Sequence, residues 1–463
     1  MSCTSRDRVR SLIRLVCAAL FVLAARAVHA QQAAPTQAAP QAQGPVSTPA
    51  QPPVPNRLNQ ILPSWLRVRG EFRGRLEGFD GLGFAEGRDD TYYLNRVRLN
   101  AIITPSKSLS FQVQAQDARV AKKEIGPVGA PFKATFDLRT AFADVGAATS
   151  PVGLRVGRQE LTFGDQRLVG HAGWLNAART FDGVRLTVRR KTFQVDAFGV
   201  SLVRILDGEF DKSGNGNRFF GAYVATTALI PKGSFEPYLF WRGDRNLATE
   251  SGPRGDMKLT TIGARMAGKL PASFEYNIEN ALQTGSVGAD AIAAWAGHYQ
   301  VKTPAGPRAL RAVGEFNYAS GDADPKDGKR GTFDQLYASA HDKYGLADQV
   351  GWRNVRHVRA GIEFSPVKAL SFSTSYHSYW LAEKRDGLYA ASGALLARVA
   401  AGAASSHVGQ EIDVQGSRPL TPQLQLAAGY AHIFPGGFLK QATPGASYSF
   451  PFVMVTYVFL AEK

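Results

Sequence analysis

From Leu66 to Glu77 the even positions read Leu66, Val68, Gly70, Phe72, Gly74 and Leu76, and every odd position is charged: Arg67, Arg69, Glu71, Arg73, Arg75 and Glu77. Successive side chains of a strand point to opposite faces, so this period of two predicts a strand with one apolar and one strongly polar face. The alternation returns in Val97, Leu99 and Ala101 against Arg96, Arg98 and Asn100. It returns again in Val184, Leu186 and Val188 against Arg185, Thr187 and Arg189, and in Leu370, Phe372 and Tyr376 against Ser371, Ser373 and His377. Eighteen such segments fall between residues 66 and 460. Most run about ten to twelve residues, close to the 9–11 that cross a bilayer at a tilt. The segment at 218–229 is weak and shows no clear inside face.

The connections alternate in length. Short ones carry breakers, such as Pro105, Gly146 to Pro151, Arg190-Lys191, Pro231 to Gly233 and Pro366. The intervening ones are mostly longer, up to 320–354, with one short exception near 285–290. Short periplasmic turns and long outer loops are the pattern of an outer-membrane barrel. The polar faces hold too much charge to form a sandwich core, so the apolar faces must be covered. Lipid covers them without further protein, and closure satisfies the edge hydrogen bonds. The expected fold is therefore all-β: a transmembrane, antiparallel, up-and-down barrel of about eighteen strands over residues 61–463, wide enough for an aqueous channel.

The start of the chain fits that destination. Arg6, Arg8, Arg10 and Arg14 precede an apolar run from Leu15 to Ala25, and Val28-His29-Ala30 supplies a small-residue cleavage site. Residues 1–30 read as a secretory signal. Removing its five Arg and one Asp takes the net charge from +16 to +12. Both cysteines, Cys3 and Cys17, lie within it, so the mature chain has no thiolate for a disulfide, a metal or nucleophilic catalysis. Residues 31–60, mostly Gln, Ala and Pro, read as a periplasmic tether. A plain linker is the first reading of that tether, and a docking arm for a periplasmic secretion partner is the second.

With apolar faces turned to lipid, the other faces line the lumen. The chain has 37 Arg and 17 Lys. Arg67, Arg69, Arg73, Arg75, Arg96, Arg98, Arg139, Arg155, Arg185, Arg189 and Arg359 fall on the lumenal face, Arg-rich in the first strands. Strands near Glu275 to Glu315 carry more acid, which predicts a positive wall opposite a mixed one. Guanidinium pairs carboxylates bidentately, and rings of Arg or Lys make pores prefer anions. Taken singly, each of these Arg residues is more readily read as paired with a lumenal carboxylate; selectivity rests on their sum. The loop 163–180 holds Asp165, Arg167, His171, Trp174, Asn176 and Arg179. It reads equally as an inward constriction or as a loop held by its own polar contacts.

At Gly157-Arg158-Gln159-Glu160-Leu161, Gly164-Asp165-Gln166-Arg167-Leu168-Val169-Gly170 and Arg179-Thr180-Phe181-Asp182-Gly183-Val184-Arg185 the chain resembles the alginate export family of outer-membrane channels. Trp174-Leu175-Asn176, Tyr318 to Asp322, Thr332 to Tyr337 and Val350 to Asn354 extend the resemblance over about residues 66–460. The resemblance implies an eighteen-stranded barrel with a basic lumen that passes a polyuronate.

Other constellations are weaker. Asp322, Asp324 and Asp327 miss the spacing of a calcium loop. His298, His357 and His377 share lumenal parity without the spacing of a hydrolase triad. Basic residues that alternate along strands do not make a nucleic-acid face. The expectation is a monomeric channel in the outer membrane of a Gram-negative-type cell, with no cofactor, metal or catalytic residue. It would touch outer-membrane lipid and pass an alginate-like polyuronate or related anionic solute by passive diffusion. The alternatives are an uptake porin for small anions or aromatic acids, then an outer-membrane hydrolase or a structural barrel.

Overall fold

The computed structural model describes residues 56–460 except 148, 215, 251 and 368, together with positions 8, 11, 12, 14, 15 and 18. The cleavage site, both cysteines and the tether up to residue 55 lie outside the described residues.

Strict alternation gives every strand one greasy face, and the chain satisfies all of them by closing one sheet on itself. The strands are β1 (Leu66–Phe79), β2 (Asp90–Ser106), β3 (Leu109–Ala121), β4 (Ala134–Val145), β5 (Val152–Gln159), β6 (Phe181–Arg189), β7 (Phe193–Arg204), β8 (Arg218–Thr226) and β9 (Gly233–Leu247). They continue as β10 (Gly255–Lys269), β11 (Glu275–Val287), β12 (Asp290–Pro304), β13 (Arg311–Ala319), β14 (Val355–Phe364), β15 (Ser371–Leu381), β16 (His407–Pro419), β17 (Leu424–Pro435) and β18 (Tyr448–Leu460). Each pairs antiparallel with the next. β18 returns to β1, with Gly70 opposite Leu460 and Glu77 opposite Phe452, so no edge is left open.

The turns at one end are short: 107–108, 146–151, 190–192, 227–232, 270–274, 305–310, 365–370 and 420–423. The other end carries the long connections 160–180, 320–354 and 382–406 and a two-residue hairpin at 288–289. The partition of faces follows the sequence pattern. Ile262 and Leu282 are 55% and 61% exposed on the outer wall, whereas Arg73 and Arg96, of opposite parity, are 6% and 4% exposed inside. Near the outer rim of that wall stand Phe220, Trp241 and Trp295, an aromatic girdle at the level of the membrane interface.

Three local features depart from the simple pattern. β8 shows no clear inside face because its lumenal side is aromatic as well. Phe219 and Tyr223 join Phe198 and Phe240 there, and Phe163, from the loop 160–180, stacks on Tyr223 at 4.8 Å. Gly157 of β5 lies opposite Gly183 of β6, with φ +127° and +154°. A Cβ there would come within 2.3 Å of Ala141 O and 2.2 Å of Gly199 O, so only glycine fits. Finally, Arg57–Ile61, within and just beyond the segment read as tether, forms a helical turn. Asn56 caps it, and Asn59 exchanges hydrogen bonds with the Val68 backbone at 2.8 and 3.0 Å, clipping it to β1.

Candidate functional site

On an eighteen-strand ring, β2–β4 stand nine strands from β11–β13. The register places Arg73 opposite Arg96 and Glu71 opposite Arg98 across β1 and β2, so their side chains share one lumenal patch. Arg139 projects from a bulge of β4 into the same patch. Arg96 pairs with Glu71 at 2.9 Å, and Arg139 with Glu160. Arg98 donates to Gln116 Oε1 at 2.8 Å and has no carboxylate partner among the described residues. Burial works to raise the Glu160 carboxyl, but Arg139, His171 and Arg98 hold it at about 2. His171 is pushed below its usual value by burial and by Arg139, Arg98 and Arg96, so it faces the patch neutral at pH 7. Across the lumen, Glu236, Glu279 and Glu315 are buried beside Arg265 and Arg359, and Glu411 and Asp413 are buried on β16, between that wall and β1. A basic wall thus faces a mixed, acid-rich one.

The loop 160–180 bridges the two walls. On the basic side Arg73 donates to the carbonyls of Gly173, Trp174 and Leu175 at 3.0–3.1 Å. Arg75 donates to Trp174 O at 2.6 Å and places its guanidinium 3.9 Å from the indole centroid. Asn176 donates to the carbonyls of Asn95, Arg119 and Phe132. On the acid-rich side Arg167, 3% exposed, bridges Asp165 and Glu315 at 3.1 Å each. Burial opposes charge on both groups. Tyr344, Glu315 and Asp165 nonetheless raise the Arg167 guanidinium, and Lys343 and Arg167 hold Asp165 far below the usual carboxylate range.

A second loop meets the first inside the barrel. Val169 pairs with Tyr337 in a parallel bridge. Gly170 N–H donates to Tyr337 O at 2.9 Å, and Tyr337 N–H to Leu168 O at 2.8 Å. Lys343 binds Asp165 at 2.9 Å, His341 stacks on Trp174 at 3.8 Å, and Arg179 donates to Gly170 O and to the carbonyls of Tyr337 and Ala338. This second loop is fixed to the wall where Glu411 accepts from Ala347 N–H at 2.8 Å and Asp413 from Leu346 N–H at 3.0 Å. Outside, it is tied to the loop 382–406. Asp386 accepts from Asp322 N–H, Thr332 Oγ1 and Arg398, and Gly351 N–H donates to Tyr389 O at 2.7 Å. Tyr389 and Arg398 belong to a small outer hairpin of Gly387–Tyr389 and Leu395–Arg398.

Toward the short turns the lumenal face holds a cavity of about 340 Å³ lined by Ser106, Ser110, Asp144, Arg155, Arg185 and Arg189. Arg155 holds Asp144 through two hydrogen bonds at 2.7 and 2.8 Å, and Arg185 holds Asp196 at 2.8 Å. Among the described residues the Arg189 guanidinium hydrogen-bonds only the Ser150 carbonyl, at 3.5 Å.

The structure brings together Arg73, Arg75, Arg96, Arg98 and Arg139 at mid-lumen and Arg155, Arg185 and Arg189 in the cavity. It leaves Arg67, Arg69 and Arg359 elsewhere. Arg67 turns back onto the carbonyls of Pro63 and Leu66, Arg69 is exposed near the start of β1, and Arg359 sits by Glu315 on the acid-rich wall. Four of the six loop residues, Arg167, Trp174, Asn176 and Arg179, hold the loops in place. Asp165 serves Arg167 and Lys343, and His171 faces the Arg patch. Sequence reasoning missed the second loop, with Tyr337, Lys343 and Tyr344, and missed Glu160 as the partner of Arg139. A trace was present: Phe333, Leu336, Tyr337, Tyr344, Leu346, Val350 and Trp352 make this connection too apolar for an outer loop bathed in water.

A closed eighteen-stranded barrel with a lipid-facing apolar wall and a charged interior is an outer-membrane channel of the porin kind. The alginate export family model matches residues 64–452, and the chain belongs to that family. No curated protein sequence matches it. Among solved structures it is similar to Pseudomonas aeruginosa OccK5 (OpdH), with 11% identity over 86% of this chain and 98% of that one and a TM-score of 0.57. It is also similar to Pseudomonas aeruginosa OccK2 (OpdF) in complex with glucuronate (10% identity, 86% and 96% covered, TM-score 0.56). A third is the BenF-like porin from Pseudomonas fluorescens Pf-5 (11% identity, 86% and 98% covered, TM-score 0.56). Family and fold place the protein in the Gram-negative outer membrane.

Proposed function

We propose that this channel passes uronate-bearing saccharides, alginate-like polyuronate and its short oligomers, by passive diffusion along the basic wall. The observation that carries the reading is the row of lumenal guanidiniums on β1–β6 in which Arg98 and Arg189 form no ion pair with a carboxylate among the described residues. An incoming carboxylate takes the place that a protein carboxylate fills at Arg155 and Arg185. Several weak, similar stations let a polyanion bind and move on, whereas one deep site would hold it. The glucuronate held by the OccK2 (OpdF) structure supports the same substrate chemistry.

A second reading, an uptake porin for small anions, is favoured by the pairing of Val169 with Tyr337, which sets two loops across the lumen. Planar-bilayer recording separates the two. Both require a reversal potential on the anion side. Transient blockade that lengthens with oligouronate chain length supports the polymer reading, and blockade by the monomer alone supports the small-anion reading. Cation preference at moderate salt would refute both.

A further inference from the structure

The outer wall carries a charged feature that transport does not use. Arg218 of β8 lies opposite Gly243 of β9, Gly243 opposite Lys258 of β10, and Lys258 opposite Ser286 of β11. Ser286 lies opposite Ala291 of β12, which in turn pairs with Lys329. This ladder line runs on the lipid-facing parity. Arg242 and Leu259, one position away, point inward, while Trp241 and Thr260 share the outward face. Adjacent strands are about 4.8 Å apart, so the Arg218 and Lys258 backbones stand about 10 Å apart with a glycine between them. The gap at Gly243 is floored by an aromatic ring, since a Cβ there would sit 2.6 Å from the Trp241 indole. Phe220 packs against that indole at 5.6 Å. Arg245, at the bulge ending β9, lies over Gly216 of the neighbouring outer loop and adds a third cation.

Arg218, Arg245, Lys258 and Lys329 are exposed, and none has a carboxylate partner among the described residues. The nearby Asp256 accepts from Asn246 N–H at 3.1 Å. Arg or Lys on the lipid face of a barrel costs about 2–4 kcal/mol at mid-bilayer and about 0–1 kcal/mol at the interface, so this line belongs at headgroup level above the aromatic girdle. It stands at the end of the long loops, the outer leaflet.

We propose that this crescent is a binding site for the phosphate groups of the phosphorylated saccharolipid of the outer leaflet, with Arg218 and Lys258 flanking a phosphate over the Trp241 floor. The full-length protein in detergent is titrated with bisphosphoryl lipid A and with the same lipid dephosphorylated, and bound lipid is counted by native mass spectrometry. Tighter binding of the phosphorylated lipid is expected. Arg218→Gln with Lys258→Gln should weaken it about 30-fold, from the attraction of two basic side chains near anionic lipid. Lys232→Glu, in a short turn at the opposite rim, should leave it unchanged. Heat-modified gel mobility reports folding of each variant. Equal affinity for both lipids, or equal loss on Lys232→Glu, overturns the proposal. So does a folded double variant that binds as the parent does.

Discussion

Arg167 tests whether the two inner loops set the size of the passage. Its guanidinium links Asp165 of its own loop to Glu315 on the far wall, 3.1 Å from each, in a buried setting. Replacing it by Ala leaves two buried carboxylates short of a partner. Removing one member of a buried ion pair typically costs about 3–5 kcal/mol. Asp165 keeps Lys343 at 2.9 Å and Glu315 keeps Arg359 at 3.4 Å, so the low end applies. About 3 kcal/mol raises the undocked fraction of the loop about 100-fold. Single-channel recording of Arg167→Ala should then show frequent excursions to a larger conductance, and proteoliposomes should admit solutes that the parent excludes. Arg167→Lys keeps the charge but loses the planar fork, so it should fall between the two. A folded Arg167→Ala channel with the parent's conductance levels and size cut-off would show that this ion pair does not hold the constriction.

Arg98→Glu should move the reversal potential toward cations while the barrel still assembles, because the hydrogen bond it gives up among the described residues is the one to Gln116; an unchanged potential would place Arg98 off the conducting path. The carboxyl of Glu250, in the outer loop 248–254, is raised to about 7 by burial and by the Asp322 and Asp290 carboxylates, against Arg330. A raised folded value means stability that is full below the unfolded carboxyl range and lost as pH rises through about 7. Hydrogen-exchange protection at 320–330, corrected for the intrinsic pH dependence of amide exchange, should therefore be greater at pH 5 than at pH 8, and Glu250→Gln should flatten the difference. Gly157→Ala forces a Cβ against Ala141 O at positive φ, and a cost of about 1–3 kcal/mol should reduce the yield of heat-resistant barrel. Unchanged yield would mean that β5 relaxes freely.

The barrel was legible because lipid enforces alternation: wherever a strand crosses hydrocarbon, a misplaced polar residue is costly. Leu66–Glu77 announces its face at every position, and seventeen more strands follow. The signal failed where lipid is not the only apolar partner. β8 shows hydrophobic residues on both sides because Phe163 fills the lumen beside Phe219 and Tyr223. Strand ends were similarly blurred, as in β2, which runs 17 residues and projects past the bilayer. For the site, parity alone placed the Arg residues inward. Parity does not say which of them meet a carboxylate, since Arg75 pairs with Glu77 of its own strand and Arg98 with a glutamine. The loop contacts were the least legible. Val169 and Tyr337 lie far apart in the chain and share no period.

The hairpin of Gly387–Tyr389 and Leu395–Arg398 belongs to a connection at the long-loop end of the barrel, and Asp386 and Tyr389 grip the same connection whose inner stretch meets Val169 and Trp174. That makes it a handle on a bolt. A large object seized at the cell surface, a phage fibre or an antibody, would tug directly on what stands in the bore, with no signal needing to pass through the wall.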